Sequence, residues 1–198
     1  VMIAFFGIGG LSTKFRYDQK RDRGVAEDND GARGSANVLG NAAVALIAVL
    51  GYATADAGLL SVDPAIFTFA FAGSLATALA DTLSSEIGGV FDTPRLITTL
   101  ERVEPGTDGG VTWQGELAGI AGAAVVAALS GALFSGIAGR GALVIVSAGV
   151  VGMTVDSLLG ATIEGDRIGN QSVNFLATLA GGIAGTVLAL AAGLAAFA

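Results

Sequence analysis

The residues best suited to chemistry in this chain are carboxylates close to the ends of apolar segments. One apolar segment ends in the run Asp81-Thr-Leu-Ser-Ser-Glu86. On a helix Asp81 shares a face with Ser84 and Ser85, because residues three and four apart are neighbours on the helix surface. A carboxylate within the membrane usually faces a cavity, an ion or a partner rather than lipid. The alternative is an ordinary polar helix end at the membrane surface.

A second cluster has a similar pattern. Asp156-Ser-Leu-Leu-Gly160 lies near the end of another apolar segment, and Glu164 follows two helical turns later. Two asparagine pairs with four-residue spacing begin two further apolar segments: Asn37 with Asn41, and Asn170 with Asn174. Carboxylate and amide oxygens suit Mg²⁺, which usually completes its coordination with substrate phosphates. For the asparagines, helix capping is the alternative interpretation.

Two polar stretches could bind phosphate. In Glu104-Pro-Gly-Thr-Asp-Gly-Gly110, successive glycines let backbone N–H groups converge on an anion. Pro-Gly and Asp-Gly also form ordinary turns, and the absence of a following Gly-Lys-Ser/Thr excludes a Walker loop. The other stretch is basic and includes Lys14 and Arg33. It could neutralise phosphate charge, or it could reflect the positive-inside rule and contacts with anionic lipid.

The composition limits the chemistry that these residues could perform. The chain has no cysteine and no histidine, which excludes disulfides, thiolate zinc sites, cysteine nucleophiles and imidazole acid–base catalysis. Its formal net charge of −7 argues against nucleic acid as the main partner. Carboxylates, hydroxyls, amides and an oxygen-bound metal remain.

The elements that must position these groups are membrane helices. Of the 198 residues, 53% are hydrophobic and 14% charged, whereas a soluble domain is about 25% charged. Five segments are long enough to cross a hydrocarbon core of about 30 Å: Val38–Leu60, Ala65–Ser85, Leu117–Ala138, Gly141–Ala161 and Val173–Ala198. The run from Val1 to Leu11 is too short. We predict an all-α polytopic transmembrane helix bundle, one domain of residues 1–198 with five full spans and a partial N-terminal one, and expect it to lack an N-terminal segment.

The distribution of basic residues predicts the orientation of this bundle. Lysine and arginine favour the cytoplasmic side of a membrane. The first polar connection, from Lys14 to Ala36, holds six of the ten basic residues. If it lies inside, nine of the ten fall inside, and all three motif-bearing connections share that side. We therefore predict a multi-pass membrane protein whose motif loops face the cytoplasm.

Taken in order, the motifs resemble a family of integral membrane proteins that includes animal transmembrane protein 19 and the phytyl-phosphate kinases of plants and cyanobacteria. The resemblance runs along nearly the whole chain. It includes Asn37-Val-Leu-Gly-Asn41, Asp81-Thr-Leu-Ser-Ser-Glu86, Pro94-Arg95-Leu-Ile-Thr-Thr, Pro105-Gly-Thr-Asp-Gly-Gly110, Asp156-Ser-Leu-Leu-Gly160 and Asn170 to Asn174.

The resemblance implies a kinase that phosphorylates a prenyl monophosphate to the diphosphate, with CTP as the favoured donor. Phosphoryl transfer depends mainly on positioning and charge stabilisation, so a chain without histidine and cysteine can perform it. Under this hypothesis the catalytic residues Asp81, Glu86 and Asp156 hold Mg²⁺. Ser84 and Ser85 orient the site. The remaining contacts to substrate and phosphate are assigned to Lys14, Arg33, Arg95, Asn37, Asn41, Asn170, Asn174, Gly106, Thr107, Asp108, Gly109 and Gly110.

The partners expected under this hypothesis are an isoprenoid lipid phosphate, a nucleoside triphosphate and membrane lipids, and homo-oligomerisation is left open. The competing interpretation is a secondary transporter, since carriers also place acids and helix breaks within the membrane. Carrier sites lie near the bilayer midplane, whereas Asp81 and Asp156 stand roughly 16 residues, some 24 Å, into their helices. That depth favours an enzyme. A scaffold without chemistry would leave the polar clusters unexplained.

Overall fold

The computed structural model describes residues 1–26, 35–165 and 167–196, and this part of the chain is all-α except for one short two-stranded ribbon. The elements are α1 (Met2–Lys14), α2 (Tyr17–Asp22), α3 (Ser35–Asp56), α4 (Ala65–Gly88), β1 (Arg95–Leu96), β2 (Gly110–Val111), α5 (Trp113–Leu133), α6 (Arg140–Ile163) and α7 (Asn170–Ala191). Helices α3 to α7 are long and apolar enough to cross a membrane. The predicted fold class, a bundle of five full spans, is confirmed.

The helices differ from the predicted segments at their ends, where polar residues continue or begin a helix. Helix α4 runs three residues past Ser85, so the Asp81–Glu86 run is helical throughout. Helix α5 begins earlier than predicted because Thr112 caps it, with its hydroxyl oxygen accepting a hydrogen bond from the Gly115 N–H at 3.1 Å. Hydropathy marks the apolar part of a helix and not its hydrogen-bonded ends.

Helix α4 is the centre of the bundle. It packs against α1, α3, α5, α6 and α7, and 67% of its most apolar stretch is buried, against 33–44% for the other spans. Leu75, Ala76, Leu79 and Ala80 of α4 are fully buried. The central helix therefore carries Asp81 into the interior of the bundle.

Glycines let the surrounding helices approach α4 closely. A Cβ atom added at Gly115 would lie 2.6 Å from the Ser84 carbonyl oxygen, and one at Gly185 would lie 2.6 Å from the Phe69 carbonyl oxygen. Contacts this short are essentially never made by real Cβ atoms. Gly119 of α5 and Gly181 of α7, four residues from Gly115 and Gly185, also lie close to backbone carbonyls of α4. These glycines therefore serve helix packing, as small residues commonly do in membranes.

The polar motifs lie at one end of the bundle, which we call the polar end: the end where α4 and α6 finish and where α3, α5 and α7 begin. The loop of residues 89–112 joins α4 to α5 there. The predicted alternation, which puts all motif-bearing connections on one side, therefore agrees with the order and direction of the helices.

Candidate functional site

A cavity of about 220 Å³ opens at the polar end, between the last turns of α4 and α6 and the loop that precedes α5. Helix α7 contributes its first residue. The structure brings ten of the predicted site residues to this cavity: Asp81, Ser84, Ser85, Gly106, Thr107, Asp108, Gly109, Gly110, Asp156 and Asn170. Elements far apart in the sequence thus converge on one small polar space.

Two carboxyl groups form the inner wall of the cavity. Asp81 on α4 and Asp156 on α6 lie within hydrogen-bonding reach of each other. Within the described part of the chain, Asp156 Oδ1 is buried and has no hydrogen-bond partner. Each acid stands seven residues before its helix ends, at Gly88 and Ile163, which is about 10 Å along the axis. Buried polar atoms without a hydrogen-bond partner are rare in proteins, and a role in catalysis or ion binding is one explanation for them.

Glu164, just after α6, is a fourth acidic residue of the cavity wall, besides Asp81, Asp108 and Asp156. Burial, followed by the negative charges of Asp108 and Asp81, raises the pKa of its carboxyl above the ordinary value, while a hydrogen bond with the Asn170 side chain opposes the shift. Its position two turns after Asp156 was visible in the sequence, but it was not among the predicted site residues. Ser157, the second residue of the Asp156–Gly160 motif, also lines the cavity, and Val25, Phe91 and Thr112 line it without a sequence signal.

The charge of the cavity determines what it could bind. None of the described residues that line it is lysine or arginine, so a phosphate would enter favourably only together with a cation. Across the described ranges, no three acidic side chains are close enough to hold a metal ion by themselves. Mg²⁺ is usually bound through one or two carboxylates plus substrate phosphates, and the pair Asp81 and Asp156 fits that requirement.

The glycine loop covers the cavity and is held by its own turns. The amide of Gly110 donates to the Thr107 carbonyl at 2.9 Å, and the amide of Ile97 donates to the Gly109 carbonyl at 3.0 Å. Strand β1 pairs with β2 in antiparallel register. Gly109 has a φ of 73°, and a Cβ atom there would lie 2.6 Å from the Ser157 carbonyl oxygen of α6. The loop therefore lies against α6 only because residue 109 is glycine.

Substitution of Gly109 by alanine should detach this loop from α6. The added Cβ would meet the backbone of α6, and the left-handed conformation costs a non-glycine residue roughly 1–2 kcal/mol in addition. Gly58→Ala is the matched control, because Gly58 has a φ of 72° but open space around it. We expect trypsin to cleave at the exposed Arg95 and Arg102 several-fold faster in Gly109→Ala only. Equal cleavage in both variants would contradict the packing role.

Glu86 does not join the other two acids, so the predicted ligand set of Asp81, Glu86 and Asp156 is not brought together. Five residues separate Glu86 from Asp81, which turns its side chain about 140° around the helix. Glu86 is buried on the opposite side of α4, in an ion pair with Lys20. The acidic ends of the motif therefore face two different environments.

The asparagines form a network that joins α3 to α7. Asn37 Oδ1 accepts hydrogen bonds from Asn41 Nδ2 at 3.0 Å and from Asn174 Nδ2 at 2.8 Å. Asn174 Nδ2 also donates to Asn170 Oδ1 at 3.1 Å. Of these four, Asn170 lines the cavity. The bond between Asn37 and Asn174 joins the two helices next to the cavity, and neither these two residues nor Asn41 is part of its wall.

Of the three predicted phosphate-binding cations, two lie away from the cavity and one lies outside the residues that the structure describes. Lys14 and Arg95 are exposed and are not among the residues that line it. Arg95 donates to the Leu100 carbonyl oxygen at 2.6 Å. Arg33 lies outside the described residues.

Comparison with known proteins places this architecture in a family. The family model described as "Integral membrane protein DUF92" matches residues 1–182. An uncharacterised membrane protein of Methanocaldococcus jannaschii is 35% identical over 95% of this chain and 74% of its own length. An uncharacterised membrane protein of Synechocystis is 31% identical over 91% of this chain and 69% of its own length.

A plant relative extends the range of organisms. Protein VTE6, chloroplastic, of Arabidopsis thaliana is 32% identical over 88% of this chain, which spans about half of that protein, 51%. No solved structure matches the chain. The family match covers the polar motifs, the first four spans and the first part of the fifth, and it confirms the resemblance seen in the motifs. The chain belongs to the DUF92 family of integral membrane proteins.

Proposed function

We propose that this protein is a membrane-embedded kinase that transfers the γ-phosphoryl group of a nucleoside triphosphate, CTP by the resemblance, to a prenyl monophosphate. A new bond joins the γ-phosphorus to a phosphate oxygen of the acceptor, and the nucleoside diphosphate leaves. The observation that carries the proposal is the acidic cavity at the polar end, where Asp81 and Asp156 face a glycine-rich loop.

The relatives support this choice of chemistry. The motifs of the chain resemble those of the phytyl-phosphate kinases of plants and cyanobacteria, and the relatives include a chloroplast protein and a cyanobacterial one. The phosphate groups of both substrates are anionic, and the described wall of the cavity supplies no basic side chain to balance them. A bound Mg²⁺ would supply that balance by neutralising charge on the phosphates.

Each wall of the cavity has a role in this proposal. The carboxylates of Asp81 and Asp156 would hold Mg²⁺, since Asp156 Oδ1 is buried and without a partner among the described residues. The hydroxyl groups of Ser84 and Ser85 lie one turn further along the same helix and would orient the phosphates. The glycine loop, residues 106–110, would cover the nucleotide and exclude water, which strengthens electrostatic interactions in the site.

The depth of the cavity suits an acceptor with a lipid tail. The two acids lie about 10 Å from the polar ends of their helices, so the phosphate of a prenyl substrate could reach them while its tail stays among the lipids. A soluble nucleotide would enter from the aqueous side. We infer that this side is the cytoplasm, because Lys14, Arg16, Arg21 and Arg23 all lie at the polar end.

A nucleotide-dependent thermal shift tests the proposal. We expect CTP with Mg²⁺ to stabilise the detergent-purified protein by about 2.7 kcal/mol at a hundredfold excess over Kd. CTP without Mg²⁺ should stabilise the protein little, because the acidic cavity repels the nucleotide anion when no cation accompanies it. ATP, GTP and UTP, measured in the same way, would identify the preferred donor. Transfer of a labelled γ-phosphoryl group from CTP to phytyl phosphate is the direct assay.

The same experiment decides against the proposal if it fails. Folded protein that responds to no nucleotide, and that transfers no label, would contradict the kinase assignment and favour the transporter. Carriers bind near the bilayer midplane, and the two acids, seven residues from their helix ends, lie between the midplane and the surface. Proton- or cation-coupled uptake into proteoliposomes would then be the measurement to make.

A further inference from the structure

Lys20 is a buried cation that the proposed kinase mechanism does not use. Its side chain is 1% exposed and forms an ion pair with Glu86 of α4. The ammonium group also donates to the carbonyl oxygens of Thr13 at 2.8 Å and of Ser12 at 3.3 Å, at the end of α1. A buried charge is costly unless it is paired and hydrogen-bonded, and these three partners satisfy all of its N–H groups. Lys20 therefore ties α1, α2 and α4 together at one point.

The residues on either side of Lys20 contact the turn that follows α4. Gln19 Nε2 donates to the Val90 carbonyl oxygen at 3.2 Å, and Arg23 Nη1 donates to the same oxygen at 2.6 Å. Arg23 Nη2 forms an ion pair with Asp92 Oδ1 at 2.5 Å. The segment of residues 17–26 is thus attached both to the last turns of α4 and to the residues just beyond it.

The segment then leads to the cavity itself. Val25 lines the cavity together with Gly89 and Gly106. A Cβ atom added at Gly106 would lie 2.7 Å from Val25 Cγ1, and one added at Gly89 would lie 3.5 Å from Val25 Cγ2. The valine side chain therefore lies between the end of α4 and the glycine loop, and closes the space that separates them.

We infer that residues 17–26 form a strap that closes one side of the cavity, and that Lys20 is the positioning residue that holds it through Glu86. The two acidic residues of the Asp81–Glu86 motif then have different functions: Asp81 faces the cavity, and Glu86 anchors the strap. Closing an active site excludes water and commits the substrate, so the strap would also assist phosphoryl transfer. That effect rests on the proposed function, whereas the position of the strap does not.

Because the chain has no cysteine, a single introduced cysteine can report how accessible the cavity is to a reagent in solution. A single reporter, Ser84→Cys, places a thiol in the cavity wall, and its rate of modification by a charged thiol reagent is measured in detergent. A second single-cysteine protein, Ser130→Cys, reports on the integrity of the bundle. Ser130 is fully buried in α5, and its hydroxyl has no partner in the described structure, so this exchange is mild.

Lys20→Met should raise the labelling rate of Ser84→Cys by about tenfold or more. The substitution leaves the Glu86 carboxylate buried without its cation, and the strap opens by local unfolding. Arg21→Met is the matched control, because Arg21 pairs on the surface with Asp18 at 3.0 Å, and exposed pairs contribute little. The double variant Lys20→Met/Glu86→Met should return towards the wild-type rate, since apolar residues can replace a buried pair.

Three outcomes would overturn the inference. Unchanged labelling of Ser84→Cys in Lys20→Met would show that Lys20 does not hold the strap. A double variant that labels as fast as Lys20→Met would show that the pair is not the anchor. If Lys20→Met also exposes Ser130→Cys to the reagent, the bundle itself has opened, and the shape-preserving variant Glu86→Gln is used instead. Labelling of Ser84→Cys at the wild-type rate in Glu86→Gln would then exclude the strap. The readout needs no turnover, so a failure of the kinase assay would leave it unaffected.

Discussion

Asp156→Asn is expected to reduce phosphoryl transfer by on the order of 10³-fold, the loss that follows removal of one preorganised charge-stabilising group. Asp156 Oδ1 is buried without a partner in the described structure, so this oxygen is free to bind a cation. Asparagine keeps the shape of the side chain but not its charge. The stabilisation by CTP with Mg²⁺ should disappear together with turnover.

The same variant should fold at least as well as the wild type. Two carboxyl groups held together in a buried place oppose folding unless a cation lies between them, and the exchange removes one of them. The control is Asp56→Asn, at the exposed opposite end of α3, which should change neither turnover nor melting temperature. Normal turnover in Asp156→Asn would exclude Asp156 from the site. A lower melting temperature would instead assign it a structural role.

The spans and their packing could be predicted from the sequence because they depend on local composition. Long apolar runs define helices α3 to α7, and small residues let membrane helices approach one another closely, as Gly115 of α5 and Gly185 of α7 do against α4. The ends of the helices could not be placed by hydropathy. Thr112 begins α5 through a side-chain hydrogen bond. Helix α4 continues beyond its apolar residues, through the polar run that ends at Glu86.

The site was predictable where its residues share a helix face. Asp81, Ser84 and Ser85 line the cavity together, as their three- and four-residue offsets predict. The same geometry separates Glu86 from them, because a five-residue offset places it on the far side of α4. Its partner Lys20 is 66 residues away in the chain, and nothing local in the sequence connects the two.

The asparagine pairs show the same limit. Their spacing predicted pairs on one face of α3 and one face of α7, and Asn41 does donate to Asn37. The bond from Asn174 to Asn37, however, spans 137 residues of sequence and depends on the packing of α3 against α7. Spacing alone could suggest a cluster at the polar end, but it could not show that Asn37 and Asn174 join two helices beside the cavity.

The second large effect concerns the crossing of α4 and α7. Gly181→Ala should lower the free energy of unfolding by about 2–3 kcal/mol, as over-packing in a tight interior does. The added Cβ would overlap Thr77 Oγ1 and would lie 3.0 Å from the Gly73 carbonyl oxygen. Thr77 cannot move away easily, because it is fully buried and its hydroxyl donates to that same carbonyl at 3.0 Å.

A double-mutant cycle measures whether Thr77 is the cause. Thr77→Ala alone should cost about 1 kcal/mol for the lost hydrogen bond. The double variant Gly181→Ala/Thr77→Ala should be more stable than the two single effects predict, because the alanine at 77 makes room for the new methyl group. Gly7→Ala in α1, where nothing lies within 4 Å, is the control and should not destabilise the protein, because alanine favours a helix more than glycine does. Denaturation in mixed micelles gives the free energies of unfolding of the wild type, the two single variants and the double variant. Strictly additive effects would mean that the Thr77 hydroxyl does not set the distance between α4 and α7, and that the Gly73 carbonyl does.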